Sequence, residues 1–174
     1  MKKVLIVVDM QNDFVTGALG TPEAQAIVPR LVEKCTKARD REDLIIFTKD
    51  LHYKEDYDST LEGQCVPPHC MAHENGHWII PELLPFGFFQ VIKSTYGHQL
   101  WHTWNEAFSE TEEIELCGVC TDICVISNAL ILRSLYPTVK IVVDASCCAG
   151  LTPDKHKAAL EVMKSCNIEV KNED

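Results

Sequence analysis

The stretch Glu115–Leu130, ELCGVCTDICVISNAL, puts a sulfur where a nucleophile would be useful. An apolar rise from Ile114 to Cys117 meets a tight Gly118-Val119-Cys120 corner, and a run with helical character follows from Thr121 to Ser134. Cys124 therefore falls one turn into a helix fed by a strand. There, free N–H groups and the positive end of the helix dipole are expected to lower a thiol's pKa. The same N–H groups could receive an oxyanion. Thr121 or Asp122 is the natural N-cap. A cysteine at a strand end is also an ordinary packing residue. Cys117-x-x-Cys120 suggests a redox or zinc pair, but zinc needs a second pair and none stands at a matching spacing.

Three other places carry chemistry. Asp9 closes the apolar run Lys3–Val8, which leaves a carboxylate at the tip of a buried strand, either over the sheet or capping its own loop. Asp50-Leu51-His52 follows a second apolar run, Asp43–Lys49, and His69, His73 and His77 come later. An Asp/His/His set suits zinc, iron or manganese better than calcium. In extended chain, Asp50 and His52 point to the same side. Scattered histidines are also common loop residues. Lys93 follows a third apolar run, Phe88–Ile92, where a lone lysine by itself would face solvent. His98 and His102 are four apart and could share a helix face, with nothing else there to suggest a metal.

These residues all sit at ends of elements. Continuous apolar runs mark strands covered on both faces of a parallel sheet. Between them, Gly17–Pro22 reads as a loop and Pro29 as the first turn of a helix carrying Leu31, Val32, Cys35 and Ala38 on one face. Asp50–Pro85 is long and poor in periodicity, as functional loops are. Gln99–Phe108 is predicted helical, with Leu100, Trp104 and Phe108 on its inner face. Val139–Val143 is a further strand. Thr152 caps a helix with Pro153 in its first position and Ala158, Ala159, Val162 and Met163 buried. Ile168–Val170 is a short edge strand and Lys171–Asp174 a polar tail. The alternation predicts an α/β fold: a doubly wound, mostly parallel sheet with helices on both faces.

The 174 residues predict one domain, 1–174, with 46% hydrophobic and 24% charged residues, ordinary globular values. A net charge of −10 argues against nucleic acid or an anionic membrane as partner. Met1–Val8 is too short an apolar run for a secretory segment or a membrane span. Nine cysteines, an odd number, point to free thiols in a reducing cytoplasm. The neighbouring Cys147 and Cys148 read as strand-end packing.

GVCTDICV resembles the G-[VI]-[AC]-T-D-x-C-V signature of the isochorismatase-like cysteine hydrolases, among which are the nicotinamidases. VDMQNDF at Val8–Phe14 resembles the family's V-D-x-Q-N-D-F, and VIKSTY its V-x-K-x-x-[YF]. Asp50-Leu51-His52 and PPHC match its D-x-H and P-x-H-C. The resemblance spans nearly the whole chain in order. It implies an isochorismatase-like hydrolase fold, with Cys124 as nucleophile, Asp9 as acid and base, and Lys93 completing the catalytic set. A cis Val119–Cys120 bond would aim the backbone N–H groups of Cys120 and Cys124 at an oxyanion. Phe14, Val119 and Tyr96 would line the substrate pocket. Asp50, His52 and His69 would hold a divalent metal, zinc in the first place, with Asp58 the positional match for a fourth ligand and Glu62 a second candidate.

The activity so implied is deamidation of nicotinamide to nicotinate and ammonia through a thioester, in pyridine nucleotide salvage, by a homo-oligomer. Val66 stands where the family has Trp, and His73-Glu74 where it has Gly-Thr. These departures leave another small amide or a carbamoyl compound open as substrate. A non-catalytic, thiol-rich binding domain is the alternative from outside enzymology.

Overall fold

The computed structural model describes residues 3–173; Met1, Lys2 and the predicted tail's last residue, Asp174, lie outside them. Six strands, β1 (Val4–Val8), β2 (Leu44–Asp50), β3 (Phe89–Lys93), β4 (Glu113–Val119), β5 (Lys140–Ala149) and β6 (Glu169–Lys171), form one sheet in the order β3-β2-β1-β4-β5-β6. Every pairing is parallel. All five β1 residues are buried, as the unbroken apolar run required. Among the described residues the α-helices are α1 (Asn12–Val15), α2 (Pro22–Asp40), α3 (Lys54–Tyr57), α4 (Leu61–Cys65), α5 (Asn105–Ser109), α6 (Ile126–Leu135) and α7 (Pro153–Ser165). The sheet is doubly wound, with helices on both faces. The chain order reverses between β1 and β4, so the crevice beyond their C-terminal ends is the switch point where open α/β sheets bind ligands. Among the described residues no helix is long and apolar enough to cross a membrane.

Several local expectations need correction. Helix α2 begins at Pro22, with Thr21 Oγ1 accepting from Ala24 N at 3.0 Å, so Pro29 lies inside the helix and not in its first turn. Gln99–Phe108 is not one helix: a 3₁₀ turn, Trp101–Trp104, leads into α5, and Trp101 and Phe108 are buried while Leu100 is exposed. Helix α7 is capped by Thr152 as expected, but its buried face is Ala159, Leu160 and Met163, with Val162 half exposed and Ala158 exposed. The Asp50–Pro85 region carries α3, α4 and two 3₁₀ turns, Asn75–His77 and Pro81–Phe86. Cys147 and Cys148 are buried in β5.

Gly118 sets the approach of β4 to β1. Its φ is +117°, and a Cβ there would stand 2.1 Å from Val8 O. Only glycine allows the two central strands to pair at that point, next to Asp9 and the Cys120 corner.

Candidate active site

Four strands deliver the site. Asp9 follows β1, Asp50 ends β2, Lys93 ends β3, and the turn after β4 carries Cys124. Asp50 and Lys93 are register partners, as are Val8 and Gly118, so parallel pairing alone brings these ends together. All four side chains are buried, none more than 5% exposed. Lys93 Nζ lies 2.7 Å from Asp9 Oδ2, 2.5 Å from Asp50 Oδ1 and 3.5 Å from Cys124 Sγ. Asp9 has φ 50°, and its Oδ1 accepts from Thr48 Oγ1 at 2.6 Å, which fixes the carboxylate's direction.

The peptide Val119–Cys120 is cis. Thr121–Val125 then forms a π turn, with Val125 N bonded to Cys120 O at 3.0 Å, before α6 takes over. The N-cap is Cys120, with no side-chain cap; neither Thr121 nor Asp122 fills that role. Thr121 Oγ1 instead lies 2.7 Å from His156 Nδ1, and Asp122 Oδ1 accepts from Leu151 N at 2.9 Å. Both tie the turn that carries Cys124 to the α7 region.

Electrostatics differ from the sequence expectation for the sulfur. Burial pushes the Cys124 thiol well above its ordinary pKa; Lys93 opposes this, while Asp9 and Asp50 add to it. Desolvation and two nearby carboxylates act against the lowering that a helix end was expected to bring. Burial likewise raises Asp9, against Lys93, to about 6. Burial disfavours charge on Lys93 too, but Asp9, Cys124 and Asp50 overcome it and hold the ammonium well above its usual range. At neutral pH the resting trio is an ionised aspartate, a protonated lysine and a neutral thiol. That arrangement suits proton transfer from sulfur to Asp9 at the moment of attack.

Beside it, one ligand atom each of Asp50, His52 and His69 lie within 4.8 Å of one another. His69 Nδ1 is 3.0 Å from Pro67 O. Tyr57 Oη lies 3.1 Å from the same nitrogen, and Nε2 faces Asp50 Oδ2 at 4.0 Å and Glu62 Oε1 at 3.8 Å. His52 Nε2 is buried with no hydrogen-bond partner among the described residues. Buried ring nitrogens seldom go unpaired. Burial, then His69 and Lys93, lowers His52 to about 4 and keeps it neutral, as a ligand must be. This donor set fits a divalent metal.

Asp58 is not part of it. It is exposed and, with His52, Glu55 and His73, lines a pocket of about 300 Å³, whereas Glu62 on α4 is the carboxylate beside His69. Phe14 packs edge-on against His69 at 5.3 Å, Val119 is buried, and Tyr96 is 42% exposed. His73 is exposed, whereas His77 is no loose loop residue: it is buried, with Nδ1 2.6 Å from Glu74 O. His98 is also buried. A cavity of about 630 Å³ between α2 and α7, lined by Ile27, Cys148, His156 and Leu160, includes none of Asp9, Asp50, Lys93 or Cys124.

The model of the isochorismatase domain matches residues 3–173. The chain is 24% identical to a nicotinamidase of Saccharomyces cerevisiae, over 97% of this chain and 98% of the relative. Pyrazinamidase of Pyrococcus horikoshii, solved in complex with zinc, superposes with a TM-score of 0.84 at 27% identity, covering 99% of this chain and all of that one. N-carbamoylsarcosine amidase of Thermoplasma acidophilum superposes at 0.79 and 28% identity, covering 99% and 96%.

Proposed function

The chain belongs to the isochorismatase domain family, and from that premise we propose that it is a cysteine amidohydrolase that deamidates nicotinamide to nicotinate and ammonia. The observation that carries this reading is the single ammonium of Lys93 within reach of Asp9, Asp50 and Cys124 together. Similarity to a nicotinamidase and a pyrazinamidase over nearly the full length supports the substrate class.

Asp9 takes the proton from Cys124 as Sγ bonds to the amide carbonyl carbon. Lys93 holds Asp9 in place and offsets negative charge as it moves between oxygen and sulfur. The N–H groups of Cys120 and Cys124 receive the oxyanion. The C–N bond breaks, Asp9 returns its proton to nitrogen, and ammonia leaves a thioester. Asp9 then takes a proton from water as the water oxygen adds to the carbonyl. The carbon–sulfur bond breaks, the acid departs and Cys124 is reprotonated. Asp50, His52 and His69, with Glu62 as the fourth donor in place of Asp58, would hold a divalent ion, zinc before iron or manganese, which when bound supplies a Lewis-acidic contact for the pyridine nitrogen. Phe14, Val119 and Tyr96 wall the ring.

Ammonia release from nicotinamide by the purified protein, with metal content measured on the same sample, tests the reading. Cys124→Ala is expected to keep its metal and lose turnover; a variant still releasing ammonia at the parent rate sinks the assignment. A second reading keeps the mechanism and changes the substrate to a carbamoyl compound or another small amide. Val66 and His73, together with the likeness to N-carbamoylsarcosine amidase, favour it. A panel of small amides assayed for ammonia separates the two.

A further inference from the structure

We propose that Asn128 is a positioning residue that fixes the nucleophile turn against the segment carrying the catalytic lysine. Asn128 is fully buried on α6, one turn beyond Cys124. Its Nδ2 donates to Cys124 O at 2.8 Å and to Tyr96 O at 3.4 Å. Its Oδ1 accepts from His98 N at 2.9 Å and Trp101 Nε1 at 2.8 Å. Two acceptors face one end of the amide and two donors the other, so all four of its hydrogen-bonding capacities are used and its orientation is unambiguous.

The partners make this more than a satisfied core polar group. Residues 94–100, between Lys93 and the 3₁₀ turn at Trp101, form neither strand nor helix. An irregular segment there needs outside partners for its backbone groups, and Asn128 serves two of them, Tyr96 O and His98 N, together with the indole N–H of Trp101. Its fourth bond goes to the carbonyl of Cys124 itself. The π turn passes into α6 at this level, and the side chain occupies the Cys124 carbonyl. One amide thus spans the two units whose reactive atoms, Lys93 Nζ and Cys124 Sγ, lie 3.5 Å apart. Asparagine is a poor helix former and a costly residue to bury, so helix propensity and packing do not explain its presence.

This inference rests on Cys124 being the nucleophile, and its test has an arm that needs no substrate. Asn128→Leu removes all four bonds at similar volume. Asn128→Asp keeps the acceptor for His98 and Trp101 and removes the donation to Cys124. Both are compared with the parent by kcat and KM on nicotinamide, and by iodoacetamide labelling of Cys124 against pH, followed on its own peptide by mass spectrometry. Misplacing a reacting group by about 1 Å costs about 10²-fold. A loss of that order in kcat, little change in KM, and a displaced pH profile of Cys124 labelling in folded protein are expected. If Asn128→Leu fails to fold, Asn128→Asp decides on the same readouts. Parent-like kcat and labelling profile overturn the proposal. So does activity lost only in step with the folded fraction while folded molecules label as the parent does. Turnover surviving in Cys124→Ala would defeat the nucleophile reading instead, a separable outcome.

Discussion

Asp50 and Lys93 are register partners at the ends of neighbouring parallel strands, with the lysine ammonium 2.5 Å from the Asp50 carboxylate. The same carboxylate stands in the group with His52 and His69. Asp50 therefore belongs to the proposed catalytic cluster and to the candidate metal-ligand set at once, so a metal bound in one would change the charge felt in the other.

Removing the lysine exposes that coupling. In metal-free protein, Lys93→Met leaves Asp9 and Asp50 buried without their cation, and breaking a buried ion pair from one side costs about 3–5 kcal/mol. Urea unfolding of the metal-free variant is expected to show that loss. Zinc should recover part of it by compensating Asp50. Equal stability of parent and variant in both states would mean the ammonium is not the counter-charge.

The rate should depend on Asp9. Burial raises its pKa from 3.8 to about 6, and a base must be ionised to take a proton. Activity then falls to about half at pH about 6, approaches its full value only well above that, and declines further as pH drops. The acid limb of kcat/KM is expected near 6, as a property of the cluster and not of one residue alone. Zinc beside Asp50 removes one negative neighbour of Asp9, so the metal-loaded protein's limb should lie at lower pH than that of the metal-free protein. Asp9→Asn should abolish turnover without disturbing metal content. A limb unmoved by metal would separate the two clusters.

The ends of β1 and β2 were legible because buried parallel strands read as apolar runs, and Asp9 and Asp50 follow them; β3 is instead an edge strand with Phe89 and Ile92 exposed, and only Val91 and Lys93 turn inward. Other features were not. Asp58 and Glu62 are both acidic residues of one irregular segment; only the folding of α3 and α4 as separate short helices turns Glu62 toward His69 and leaves Asp58 outside. The direction of the Cys124 shift depends on burial and on two carboxylates from distant strands, which a local helix-end argument omits. Asn128 carried one available signal, an amide one turn beyond Cys124 in a stretch that is apolar apart from it and Ser127. Its partners, Tyr96, His98 and Trp101, are far away in sequence.

Metal retention should separate the two acidic residues. Glu62→Gln, which would remove a ligand, is expected to weaken zinc binding by at least the about 10–100-fold that loss of an outer-shell partner costs, and Asp58→Asn to leave it unchanged. His52→Ala should lower it further, since a buried, otherwise unpartnered ring nitrogen is lost. Competition with a zinc-binding dye measures all three without substrate. The reverse order for Glu62 and Asp58 would restore the positional assignment.

Gly118→Ala tests the backbone approach on which the site depends. The glycine's φ of +117° lies where side chains are strained, a cost of about 1–3 kcal/mol by itself. An added Cβ would also stand 2.1 Å from Val8 O, so β1 and β4 must part next to Asp9 and the turn holding Cys124. The variant is expected to lose more stability in urea than the φ term alone, and its folded fraction to turn over more slowly than the parent because Asp9 and Cys124 have moved apart. Parent-like stability and rate together would show that the central strands tolerate a wider spacing.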